Sequence, residues 1–137
     1  MKKIKLFDPY IDHEEKAIKK ILKKGFWASG AGIGAVSKFE HEFKKYIGTK
    51  ECIAVNSGTA ALHLALNLEN IKNKEVLLPS LSFVSTAHAV KYNGGIPVFI
   101  DIDEDTLCID NNKIEENVSS KTKIILPVHF AGMASNM

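Results

Sequence analysis

Asn56-Ser57-Gly58-Thr59-Ala60 is the stretch whose residue types best suit chemistry. The apolar run 52–55 stops at this polar turn, and an Ala/Leu-rich run starts at once. A turn opening a helix in this way presents several backbone N–H groups at the positive end of the helix dipole, which suits a phosphate group. Gly58 lets the backbone approach a ligand closely, and the Ser57 and Thr59 hydroxyls can add hydrogen bonds. The plainer alternative is that Ser57 simply caps a buried helix. The motif alone does not separate the two.

A second glycine-bearing stretch, 26–35, reads Phe-Trp-Ala-Ser-Gly-Ala-Gly-Ile-Gly-Ala. Gly30-x-Gly32-x-x-Ala35 matches the loose form of the dinucleotide fingerprint, but that fingerprint needs a strand before it and a helix packed after it. A lysine-rich helical pattern precedes it here, so a Rossmann site is rejected. A loop touching substrate, with Trp27 as an apolar wall and Ser29 beside it, is the better functional reading, against a plain surface linker. His63 and His88 fall in apolar helical patterns and read as satisfied core histidines. Cys52 and Cys108 have neither a disulfide framework nor zinc spacing around them.

The elements that must carry these residues are legible from pattern. Asp12 with Glu15 makes a capping box before Ala17, Ile18, Ile21 and Leu22, and Gly25 suits a left-handed stop, which predicts a helix over 12–24. Ser37 with Glu40 repeats the box before Phe39, Phe43, Tyr46 and Ile47, an aromatic stripe expected in the core. Strands are expected at 52–55, 76–78, 96–100 and 123–128, with helices at 58–68, 83–92 and 111–118 between them. Alternation of this kind predicts a parallel sheet with helices on its faces, and the unbroken Val/Ile/Leu runs fit strands buried on both sides. Ligands of such sheets bind outside the carboxyl ends of the strands. Residues 56–59, 79–83, Asp101 and His129 all fall there.

Composition bounds the rest. The chain has 137 residues, 45% of them hydrophobic, enough for one domain with a real core. No apolar run nears the roughly 20 residues that span a bilayer, and no signal-peptide core follows the lysine-rich start. A cytoplasmic protein without a membrane partner is expected. Residues 1–50 hold 12 Lys against 6 acids, whereas 51–137 hold 6 Lys against 10 acids. The basic half does not predict nucleic-acid binding. Its lysines lie mainly on the solvent side of one helix, and Arg, the residue suited to bidentate phosphate contacts, is absent from the sequence.

Six collinear segments resemble one family, the pyridoxal-phosphate sugar aminotransferases of the DegT/DnrJ/EryC1/StrS group. They are Gly25-Phe26-Trp27 with Gly30; Phe39-Glu40 with Phe43 and Tyr46; the run 57–62, Ser-Gly-Thr-Ala-Ala-Leu; the run 79–87, opening Pro79-Ser80; the run 97–103, opening Pro97-Val98; and the run 127–132, opening Pro127-Val128. The resemblance implies an α/β fold, the three-layer large domain of fold type I, represented here by about four strands. It implies that Ser57, Gly58, Thr59 and Ala60 hold the phosphate of pyridoxal phosphate and that Phe83 stacks on its pyridine ring. It further implies residues 1–36 as an N-terminal helix and substrate-side loop (Trp27, Ser29), and 37–137 as the front half of the cofactor-binding domain. A nucleotide-linked keto sugar as substrate, glutamate as amino donor and a homodimer complete the set.

The departures from the family pattern matter as much. A pyridoxal enzyme needs a lysine for the cofactor and a carboxylate opposite the ring nitrogen. In the family both follow the Val-His segment, and no lysine present is expected to substitute by position. Lys121 and Lys123 precede a strand, at the edge opposite the pocket, and Lys72, Lys74 and Lys91 fall in other helices and turns. Residues 1–137 by themselves are therefore expected not to catalyse transamination, and an α/β sheet of so few strands is expected to leave an open edge and uncovered apolar surface. Two other readings stay open. One is a non-catalytic binding module on the same scaffold; the other is a sugar dehydratase of the same family, in which histidine replaces the lysine.

Overall fold

A computed structural model describes residues 9–25 and 33–137, which pack as two compact units, Met1–Ala54 and Val55–Met137. The first holds α1 (Glu14–Lys24) and α2 (Ala35–Ile47). The second holds α3 (Gly58–Asn67), β1 (Glu75–Pro79), α4 (Val84–Tyr92), β2 (Ile96–Ile100), α5 (Asn111–Asn117) and β3 (Thr122–Ile125).

Both helices of the first unit stop where glycine allows a left-handed residue, Gly25 at φ 65° and Gly48 at φ 81°. Neither predicted capping box forms. His13 occupies the N-cap of α1, and Glu14 rather than Glu15 reaches back, accepting from the Asp12 N–H at 2.6 Å. Glu15 is engaged instead by Lys19, one turn on. In α2 the helix begins ahead of Ser37, after Gly34, and the Glu40 carboxylate accepts from the Ala54 N–H at 2.9 Å. A tertiary bond has taken the acceptor that local sequence assigned to the cap. The aromatic stripe expected in the core is exposed, from 45% at Phe43 to 86% at Tyr46. A helical stripe records that a covering face is wanted; it does not supply one.

The second unit is built on a parallel sheet of order β2-β1-β3. Its central strand is the most buried, with Val76, Leu77 and Leu78 fully covered. Alternation along β1 divides the core. Val76 packs with Leu66 of α3 and Ala89 and Val90 of α4, whereas Leu77 packs with Ile100, Ile109 and, from α5, Ile114. Helices α3 and α4 therefore cover one face and α5 the other, the three layers expected. The outer strands leave Ile96, Phe99 and Ile125 more than two-fifths exposed.

The strand expected at 52–55 is not one. A strand exists only by pairing, and the sheet among the described residues contains β1, β2 and β3 alone. Ile53 lies outside the sheet and is 77% exposed. The predicted strand over 123–128 is shorter, although the Leu126 N–H still donates to the Leu77 carbonyl at 2.7 Å. Among the described residues no helix is long and apolar enough to cross a membrane.

Candidate active-site edge

Because the strands are parallel, their carboxyl ends (Pro79, Ile100, Ile125) share one edge of the sheet. Helices α3 and α4 each lead into a strand of that sheet, so both run toward its amino edge. Their far ends meet there: Asn67 Nδ2 donates to Asn93 Oδ1, and the Asn73 N–H donates to the Gly94 carbonyl. Their first turns consequently face the carboxyl edge, which brings Ser57, Gly58, Thr59 and Ala60 to the same edge as Phe83.

Ser57 does cap α3. Its Oγ accepts from the Ala60 N–H at 3.1 Å, and its carbonyl accepts from the Ala61 N–H at 3.1 Å. That leaves the N–H groups of Gly58 and Thr59 without an acceptor among the described residues. A Cβ built on Gly58 would meet nothing within 4 Å, and Gly58 is exposed, so the turn beside these donors is open to solvent. No acidic residue lies in the first turn. Capping and anion binding are thus compatible here, since the serine satisfies one donor while two others and the positive dipole end face outward.

Phe83 holds the N-cap position of α4 in extended backbone (φ −71°, ψ 140°), and its residue surface is 77% exposed. Behind it, Ser82 Oγ donates to the buried Thr86 Oγ1 at 2.7 Å. A phenyl group left in water forgoes about 2 kcal/mol of burial, which a flat ligand lying on it would recover.

The other edge residues are structural. Asp101 Oδ1 accepts from the Ile102 N–H at 2.9 Å, and its Oδ2 accepts from Lys113 Nζ at 2.8 Å. The Lys113 hydrogen bond holds the Asp101 carboxyl below its usual value, and Asp101 in turn raises the lysine. Sequence reasoning passed over this lysine, which the α5 cap at Asp110 does place at the carboxyl edge. It stands on the face opposite α3 and α4 and is kept protonated, the wrong state for a nucleophile. His129 Nδ1 accepts from the Ser135 N–H at 3.0 Å, a contact that fixes the closing loop. His63 is half-buried beside Asn93, but His88, expected in the core, is exposed, its ring 5.7 Å from that of Tyr92. Trp27 and Ser29 lie outside the described residues.

The sequence profile of the DegT/DnrJ/EryC1/StrS aminotransferase family matches residues 9–137. Among curated relatives, the spore coat polysaccharide biosynthesis protein SpsC of Bacillus subtilis is 43% identical over 94% of this chain and 33% of its own length. GDP-perosamine synthase of Caulobacter vibrioides is 38% identical over 98% of this chain and 36% of its own length. Among solved structures, GDP-4-keto-6-deoxymannose-3-dehydratase, captured with PLP and glutamate, superposes with a TM-score of 0.74 at 30% identity, over 86% of this chain and 32% of that one. The chain spans about a third of the length of these relatives.

Proposed function

The chain belongs to the DegT/DnrJ/EryC1/StrS aminotransferase family and has the α/β architecture of its fold type I members, and from that premise we propose that it supplies the cofactor-phosphate turn of a sugar-modifying pyridoxal-phosphate enzyme. The reaction is transfer of an amino group, with glutamate as donor, onto a nucleotide-linked keto sugar, in a cytoplasmic homodimer. Residues 37–137 serve the cofactor and 1–36 the substrate side, with Trp27 and Ser29 in that loop.

One observation carries the reading. The open Gly58 and Thr59 donors share a sheet edge with an exposed Phe83 ring, which is what a ligand combining a phosphate with a flat ring requires. The residues present fit the group. Gly58, Thr59 and the Thr59 hydroxyl would take the phosphate oxygens, and Ser57 and Ala60 would hold the turn in shape through their own hydrogen bond. Phe83 would present its face to the pyridine, an offset contact of about 0.5–1.5 kcal/mol. When bound, pyridoxal phosphate supplies the electron sink through which an amino group is exchanged. The side chains at this edge orient it; Lys113, paired with Asp101, is not its covalent partner. Residues 1–137 alone are expected to bind phosphate or cofactor weakly and to show no transaminase turnover.

The dehydratase reading is favoured by one observation, the likeness to GDP-4-keto-6-deoxymannose-3-dehydratase. The test is to incubate the full protein with pyridoxal phosphate, glutamate and a nucleotide-linked keto sugar, and to weigh the sugar product. Gain of an amine with formation of 2-oxoglutarate is expected. Loss of water without retained nitrogen would replace transamination by dehydration, and failure to take up the cofactor would overturn both.

A further inference from the structure

Asn93 closes α4 at the opposite end of the helix pair from the candidate site. Its Nδ2 donates to the Ala89 carbonyl of its own helix at 2.9 Å and to the His63 carbonyl of α3 at 3.0 Å. Its Oδ1 accepts from Asn67 Nδ2 at 3.1 Å. Both amide hydrogens and the carbonyl oxygen are used, and two of these three bonds cross from α4 to α3. The backbone beside it has little freedom. Gly94 is left-handed at φ 71°, and a Cβ on Gly95 would come within 2.8 Å of both Ile71 and Val90. The carboxamide is held in one place, and the two helices are held by it.

The consequence lies at the other end. Each helix is about 15 Å long, so a tilt of about 5° between them pivoting near Asn93 displaces one first turn from the other by about 1 Å. The first turn of α3 carries the open phosphate donors and that of α4 begins at Phe83. Misplacement on this scale matters only to a ligand that must touch both. We propose that Asn93 is a positioning residue, setting the spacing between the phosphate turn of α3 and the aromatic face at the start of α4. It rests on the cofactor reading above, and it touches neither half of the site.

A ligand gripped by one half is indifferent to this clamp, whereas a ligand spanning both is not. The test measures, in the full chain, the affinity for two probes. One is 4-deoxypyridoxine 5′-phosphate, which keeps ring and phosphate but lacks the aldehyde; the other is inorganic phosphate. Asn93→Ala is expected to weaken the spanning probe about tenfold and inorganic phosphate less than about twofold. Asn67→Ala, which removes one bond from an exposed residue, is expected to weaken the spanning probe about threefold with inorganic phosphate again unchanged. Should Asn93→Ala not fold, the ratio of the two affinities in Asn67→Ala decides alone. Equal weakening of both probes, or of neither, overturns the positioning role and leaves Asn93 a stabilising residue. Should the unmodified protein bind the spanning probe no better than inorganic phosphate, the pairing of Phe83 with the phosphate turn is wrong, and the cofactor reading falls with this inference.

Discussion

Two helix starts stand at the carboxyl edge of one sheet and are built from opposite chemistry. Helix α3 is capped by a neutral serine, has no acid in its first turn, and leaves two N–H groups facing open space. Helix α5 is capped by Asp110, whose Oδ1 accepts from the Asn112 N–H at 2.9 Å, and Asp101 lies beside it, bridged by Lys113. Carboxylates already answer the positive end of α5. An approaching phosphate would meet two of them there and none in the first turn of α3. Helix dipoles are common to both ends; what differs is whether the protein has already neutralised them.

The contrast can be broken by making α3 resemble α5. Gly58→Asp has room for its side chain and puts a carboxylate where the phosphate would sit. Cofactor affinity is expected to fall more than about a hundredfold, because opposed like charges cost several kcal/mol. An acid at a helix start is otherwise favourable, so the melting temperature should hold or rise slightly. Titration with pyridoxal phosphate alongside thermal melts reads both signs, and joint loss of affinity and stability would point to misfolding instead. Phe83→Ala should weaken the same ligand by about tenfold or less without lowering the melting temperature, as the ring is mostly in solvent.

Smaller effects sharpen the same comparison. Ser57→Ala removes the cap from Ala60 N–H and is expected to cost about 1 kcal/mol of stability, measurable by denaturant unfolding. At α5 the expected change depends on pH. Asp101 is depressed in the folded state by Lys113, so its contribution is present above its unfolded pKa and is lost as pH falls through the lower folded value. Asp101→Asn should therefore lower stability slightly above about pH 4, and the difference from the unmodified protein should fade as pH drops below that, flattening part of the acid loss. The pair is solvent-exposed, so the difference should shrink further in high salt.

The helix stops were legible wherever one residue decides them. Gly25 takes the left-handed conformation expected of it, and Ser57 caps α3, the plainer of the two readings of its turn. The buried run of β1 and the alternation of strands with helices likewise follow from residue type and period. They predicted the parallel sheet and the shared edge that gathers residues 57–60 with Phe83.

Partnership was not legible, because partners lie far apart in sequence. Glu40 looks like a capping-box acid until Ala54 is seen to hold it, and Lys113 looks like a surface lysine until Asp101 is placed beside it. The run 52–55 has strand composition, yet pairing requires a neighbour that composition does not name. The α2 stripe has the right period for a core, and its exposure was decided by what else packs nearby. Asn93 shows the same limit from the other side. It reads as a residue before a glycine turn, and only the packed helices reveal that its carboxamide spans them. Local sequence determined the alternation of helices with the three strands of the sheet, the glycine stop of α1 and the serine cap of α3. Tertiary structure alone decided which acceptors, charges and apolar faces those elements found, because such choices depend on distance in space.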